Sequence, residues 1–249
     1  MSNQKPSTPQ NTSDGSLQGR IHLIPSVICD DGYDAIPGSV RTAVRSCSAF
    51  FVENERIARR YLKRVWPEMV VDELEWNVMD PDDLTLREKL KAYIKEGRHV
   101  GIVSDAGCPG VADPGQALVA MAHGLGVRVQ PHAGPSAILL ALMASGMNGQ
   151  RFRFNGYLPT DRNERGKTLR SLESESLRSG STEIFMETPY RNEAMKEAVI
   201  QCCRATTRLC IAVDIGSAKE WIRTLTVSQW KGVDASLHKR PAVFLMSAT

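Results

Sequence analysis

The run VGIVSDAGCPGVADPG at residues 100–115 constrains the chain more than any other stretch. It packs an apolar strand, a glycine and proline loop with two aspartates, and a helix start into consecutive positions. Val100, Ile102 and Val103 are β-branched and suit a buried parallel strand. Ser104 to Gly110 then reads as a loop at that strand's carboxyl end, where open α/β sheets bind ligands. Gly107 and Gly110 carry no Cβ, so backbone groups there can approach a ligand closely, while Pro109 limits how far the loop relaxes. Asp105 is free to accept hydrogen bonds from an amine or a ribose. Asp113 is placed to cap the following helix, with Pro114 as its first residue and Gln116 closing a capping box, which makes Asp113 structural. A tight strand-to-helix turn with no ligand satisfies the same composition.

A chain of 249 residues with 42% hydrophobic residues can bury a substantial core and divide into two domains. That excludes a disordered or fibrous chain. The formal net charge of +3 requires no nucleic-acid partner by itself, so the basic residues matter through their clustering. The six cysteines show neither a CxxC pair nor a spacing that joins histidine into a zinc pattern, so reduced thiols in a cytoplasmic protein are expected, and no metal site. Residues 1–19 are rich in Ser, Gln, Asn, Thr and Pro and read as a disordered tail. No stretch is apolar over the length a membrane span needs.

In order, residues 21–24 read as a strand, 40–46 as a helix, and 49–52 as a strand that delivers Glu53 to its end. The next helix carries Arg56, Arg59, Arg60, Lys63 and Arg64, with Ile57, Tyr61 and Leu62 available for the core. Seven Lys or Arg against two Glu give residues 41–64 a local charge of +5. Either a solvated face or a phosphate-binding surface accounts for it. Residues 81–84 begin a helix whose Leu86, Leu90, Tyr93 and Ile94 recur at helical spacing. His99 and His123 have no second ligand at helical spacing and are expected at the surface or capping neighbours.

After a strand at 127–129 the chain crosses at 131–137, where Ser136 caps a helix, or turns its free N–H groups to a ligand, or does both. Residues 151–159 alternate as a half-buried strand. A second basic cluster follows, with six Lys or Arg against two acids over 151–170, a charge of +4 that includes Arg162 and Arg165. Gly166-Lys-Thr168 is no P-loop, because Asp161 stands where the first glycine is needed. Strands are expected at 183–186, 209–213, 222–227 and 241–246, and Glu187 and Arg191 are placed for a structural ion pair or for catalysis.

Ser104-Asp-Ala-Gly-Cys-Pro and Ala112-Asp-Pro-Gly resemble, almost residue for residue, a signature of the tetrapyrrole methylase superfamily in its ribosomal RNA small subunit methyltransferase I branch. Gly134-Pro-Ser-Ala resembles the second signature of that family, and residues 151–159 resemble its Phe-Leu-Phe-Glu-Gly-Phe-Leu-Pro segment. The match is partial at 53–56, where the family carries Glu-Asp-Thr-Arg, and at 187–191, where Tyr190 replaces a histidine. It is weak at 25–32, which keeps Pro25 and the hydroxyl of Ser26 but carries Cys29 in place of a glycine, and at 214–220 around Lys219.

The resemblance implies an α/β, two-domain tetrapyrrole-methylase-like fold. Residues 20–133 would form a mostly parallel sheet with flanking helices and 134–249 a mixed α/β domain, with the cofactor cleft between them. It implies S-adenosyl-L-methionine held by Pro25, Ser26, Ser104, Asp105, Ala106 and Gly107, with Cys108, Val111, Ser136, Ala137, Met186 and Glu187 completing the site. It also implies a homodimer, and as acceptor a ribose 2′-hydroxyl of small-subunit ribosomal RNA. Such a hydroxyl must lose its proton in the transition state, to a carboxylate or a neutral lysine, which makes Glu53, Asp105, Glu187 and Lys219 unranked catalytic candidates. Arg56, Arg59, Arg60, Arg162, Arg165 and Arg191 are the candidates for holding the substrate. Two other readings stand beside this one: a methyltransferase for a small tetrapyrrole or other metabolite, and a cofactor-binding regulatory module without turnover.

Overall fold

Apolar residues at nearly every position of 49–52 and 100–103 require a sheet covered on both faces. The computed structural model, which describes residues 19–80, 83 and 85–248, shows this arrangement. The expected tail at 1–18 and most of the expected helix start at 81–84 lie outside the described residues. The first sheet comprises β1 (Arg20–Ile24), β2 (Ala49–Val52), β3 (Glu75–Val78), β4 (Val100–Val103) and β5 (Arg128–Pro131). Its order is β3-β2-β4-β1-β5, and every pair is parallel.

One face packs Ile24, Phe50 and Val52 against Val40, Val44 and Leu62 of α1 (Gly38–Ser46) and α2 (Glu55–Val65). The other packs Ile21, Phe51 and Ile102 against Leu90, Ile94 and Leu118 of α3 (Thr85–Lys95) and α4 (Gly115–Gly124). The chain leaves β1 toward β2 and leaves the neighbouring β4 toward β5. Connections running in opposite directions from adjacent strands open a crevice at their carboxyl ends.

After β5 the chain crosses to α5 (Ala137–Ser145), which packs Ala141 and Leu142 on the second sheet beside Ile184, Cys210 and Val243. That sheet comprises β6 (Phe152–Tyr157), β7 (Thr182–Met186), β8 (Arg208–Val213), β9 (Trp221–Thr226) and β10 (Ala242–Ser247), in the order β6-β7-β10-β8-β9. Only β6 and β7 pair in parallel. Its far face is covered by α6 (Arg162–Ser179) and α7 (Asn192–Cys202), with α8 (Val227–Trp230) beside them. Asp161, the residue that rules out a P-loop, caps α6 by accepting from Asn163 and Glu164 N–H, both at 2.9 Å. No helix among the described residues is long and apolar enough to cross a membrane.

Three expectations change. A strand at β3 was not anticipated: its sequence EWNV alternates polar and apolar residues, but over only four positions. Gln116 is exposed and closes no capping box; Asp113 alone secures the start of α4. His99 is half-buried, not a surface residue: its Nδ1 lies 2.9 Å from Nε2 of the buried His22, whose Nδ1 lies 3.0 Å from His132 Nε2. Parallel pairing of β1 with β4 and β5 brings these rings into a stacked row that no sequence spacing indicates.

Candidate functional site

The loops after β1 and β4 are stitched together. Ser26 N–H donates to Gly107 O at 2.8 Å, Gly107 N–H donates back to Ser26 O at 3.2 Å, and the Ser26 hydroxyl donates to Ser104 O at 2.7 Å. Gly107 adopts φ +75°, a conformation that favours glycine. Asp113 braces the far side of the loop, accepting from Gly110 N–H and Gly115 N–H at 2.7 Å each. Beneath it the crossing segment comes so close that a Cβ on Gly134 would lie 2.2 Å from Pro25 Cβ, so only glycine fits there.

These loops form one wall of a cavity of about 410 Å³. The end of β2, the start of α5, the ends of β6 and β7 and the start of β10 line the rest, with Glu53, Ser136, Tyr157, Met186, Glu187 and Ala242 among the lining residues. The cavity thus lies where the two sheets meet. Ser136 caps α5 by accepting from Leu139 N–H at 3.5 Å, and the first residues of that helix face the cavity.

The lining is acidic. Glu53 Oε2 accepts the Asp105 N–H at 2.6 Å. Burial pushes the Glu53 carboxyl above its usual range; the Asp105 N–H opposes this, and the charges of Asp105 and Asp113 add to it. Burial also raises Asp105, opposed by the Asn54 N–H, and Asp113, opposed by the N–H groups of Gly115 and Gly110. Glu187 is buried and bound by Arg191 Nη2 at 2.6 and 2.7 Å, with a third bond from Thr188 N–H at 2.7 Å. The ion pair expected from sequence is therefore present.

Of the expected cofactor residues, Ser104, Asp105, Ala106, Gly107, Cys108 and Val111 line the cavity from one side. Ser136, Ala137, Met186 and Glu187 line it from the other. Pro25 is buried behind the loop, and Ser26 faces an adjoining recess. Three of the four catalytic candidates come together, but Lys219 does not: it is exposed and lines a separate hollow with Asp214 and Arg240.

The two stretches of weakest resemblance, 25–32 and 214–220, meet at that hollow, where the Cys29 thiol lies 3.2 Å from Gly216 O. Arg56 is exposed, Arg60 lines the recess, and Arg59 is bound to Glu55 at 2.6 Å with its guanidinium over Trp76. Arg162 and Arg165 line a different depression, between α6 and α7. Sequence reasoning missed Tyr157, half of whose signal was the glycine inside its strand: Gly156 takes φ +66° at a register shift in β6 and turns Tyr157 toward the cavity.

Comparison with known proteins agrees with this geometry. The family profile described as Tetrapyrrole (Corrin/Porphyrin) Methylases matches residues 34–230. Ribosomal RNA small subunit methyltransferase I of Mesorhizobium japonicum is 37% identical over 139 residues, 56% of this chain and 46% of that protein. The protein of the same name from Xylella fastidiosa is 33% identical over 176 residues, 71% of this chain and 61% of its own length. The chain thus spans about half of the length of the curated relatives it matches. Among solved structures the methyltransferase CobJ superposes with a TM-score of 0.61 at 16% identity, covering 93% of this chain and 94% of that one, a likeness of fold. A profile match that takes in both sheets, on a cleft built by the loops that carry the signatures, places the chain in the tetrapyrrole (corrin/porphyrin) methylase family.

Proposed function

We propose that the protein is an S-adenosyl-L-methionine-dependent methyltransferase whose acceptor is a ribose 2′-hydroxyl of small-subunit ribosomal RNA, and that it works as a cytoplasmic homodimer. The observation that carries the reading is the acidic cavity at the junction of the two sheets. Its residues fit the cofactor chemically. Glu53, Asp105 and Asp113 form an anionic wall suited to a sulfonium and an amine, the opening turn of α5 presents N–H groups suited to a carboxylate, and Ile138, Met186 and Ala242 offer apolar surface suited to an adenine. Bound there, the cofactor would supply a methyl group already activated by positive charge on sulfur.

The chain's own task is then to orient the acceptor and take up its proton. Asp105 is the residue we assign to the proton, because partial burial makes it more basic than an ordinary aspartate and it lines the cavity. Glu53 holds the Asp105 backbone, and Glu187 is committed to Arg191.

The ribosomal acceptor is supported by the names of the curated relatives and by Arg56, Arg60 and Arg64 of α2, which have no carboxylate partner among the described residues. The dimer is supported by α5, whose sequence AILLALMAS is apolar on every face, yet leaves Leu139 50% and Met143 78% exposed. Two measurements test the function: calorimetric titration with S-adenosyl-L-methionine, and transfer of labelled methyl to purified small ribosomal subunits compared with a metabolite extract. Heat of binding with label in the ribosomal RNA is expected. Label only in the extract would favour the metabolite reading, and binding without transfer to either would favour a regulatory module.

A further inference from the structure

A second recess of about 520 Å³ adjoins the cleft on the α2 side. Ile28, Asp105 and Ala106 line both, so the two hollows share a wall. The outer side of the recess has a different chemistry from the cleft. Arg56, Arg60 and Arg64 recur every fourth residue along α2, about 6 Å apart along the axis, and none has a carboxylate partner among the described residues. Arg59, on the other side of the same helix, is neutralised by Glu55. Arg60 and Arg64 open into the recess, and the Arg64 guanidinium lies over the Tyr33 ring, 3.9 Å from its centroid. Tyr33 is half-buried and its ring in turn lies 6.1 Å from that of Tyr61.

We propose that this recess receives the acceptor nucleotide, with its base added to the Arg64–Tyr33 stack, Arg60 on a flanking phosphate, and its ribose at the wall shared with the cleft. The proposal rests on the methyltransferase reading and names the part of that site which takes RNA. Unpaired bases are recognised by stacking on aromatic rings and guanidinium planes, and cations at the spacing of Arg56, Arg60 and Arg64 follow a phosphate backbone. A base stacked on Arg64 and Tyr33 has left its own helix, so the acceptor has to be a single-stranded or extruded nucleotide. The common wall is where donor and acceptor must meet, and Asp105, the residue assigned to the proton, stands in it.

The test is direct binding of a fluorescein-labelled single-stranded oligocytidylate to the full chain, followed by anisotropy across a salt series, with cofactor calorimetry on the same samples. The double variant R60A/R64A is expected to bind at least tenfold more weakly, and its slope of log affinity against log salt should be shallower by about 0.7, the loss of the one phosphate contact assigned to Arg60. Tyr33→Ala should bind about tenfold more weakly with an unchanged slope, and Tyr33→Phe should bind as the parent does. All variants should keep the parent's heat of cofactor binding, which also shows that they are folded. Parent-like RNA affinity in both R60A/R64A and Tyr33→Ala would overturn the recess and leave the methyltransferase reading standing. RNA binding that depends on these residues in a parent that takes up no cofactor would uphold the recess as an RNA site and sink the methyltransferase reading.

Discussion

Asp105 and Glu53 show how one cavity gives like residues different work. The Glu53 carboxylate accepts the Asp105 N–H, so it shapes the loop, while the Asp105 side chain accepts the Asn54 N–H. Replacing Asp105 by Asn removes the proton acceptor we propose with little change in volume, and methyl transfer is expected to fall by about a hundredfold with the folded state intact. The pH profile should show the same residue. The ionised form is the active one and burial raises the pKa, so the parent's rate should fall on the acid side at a higher pH than for an ordinary aspartate, whose value is about 3.9. Asp105→Asn should lack that limb; an acid limb unchanged in the variant would remove Asp105 from the chemistry.

Glu187 illustrates the opposite case. Its carboxylate is 1% exposed and Arg191 satisfies both oxygens, so Arg191→Ala leaves a buried charge unpaired. Urea denaturation should show a loss of about 3 kcal/mol, at the low end of the usual range because Arg191 is itself 32% exposed. The double variant E187Q/R191M should recover most of it. Equal stabilities for Arg191→Ala and the parent would mean that the pair carries no structural weight.

At the scale of elements, the row of His99, His22 and His132 makes a distinct claim. Burial, followed by the charges of His132, His99, Arg20 and Arg128, lowers the His22 pKa from 6.5 to about 4. Between those values the unfolded chain binds the proton and the folded chain does not. Stability is therefore complete above pH 6.5 and is lost as pH falls toward 4, by a total on the order of 3 kcal/mol. Burial also lowers His132, which acts in the same direction. Denaturant midpoints measured near neutrality and at about pH 5 should differ in the parent and differ less in His22→Gln. A parent whose midpoint is flat over that range would contradict a buried, neutral His22.

The row also marks where sequence reading stops. Elements with a strong local pattern were legible: the apolar runs of β2 and β4, the amphipathic α2, and the glycine and proline loop after β4. Contacts made by strand pairing were not. His22 and His99 are far apart in the chain and meet only because β1 lies beside β4, whereas Lys219 is kept from the cleft by the turn after β8 in which it sits. The same holds for Ile57, available for the core by helical spacing but half-buried in the wall of the recess.

For the whole molecule, the two sheets have separate cores and the cleft takes residues from both, so anything bound there ties the halves together. A cofactor present at a hundredfold over its dissociation constant would add about 2.7 kcal/mol to the stability of the assembly. One surface remains uncovered. The α5 helix begins in the cleft wall, packs Ala141 and Leu142 inward, and turns Leu139 and Met143, one turn apart, to solvent. A second copy of the chain related by a twofold axis would cover the same residues on both partners, with Leu139 lying directly beside the cavity-lining Ala137 and Ile138. Met143→Asp is therefore expected to convert a dimer into a monomer in sedimentation velocity. Because the substitution lies outside the buried core, its far-ultraviolet circular dichroism should match that of the parent. A parent that sediments as a monomer at high concentration would refute the dimer, and a Met143→Asp protein that stays dimeric would move the interface away from α5. If the dimer holds, loss of cofactor affinity in the monomer would show that the start of α5 is fixed by the partner, and unchanged affinity would show that each chain shapes its own cleft.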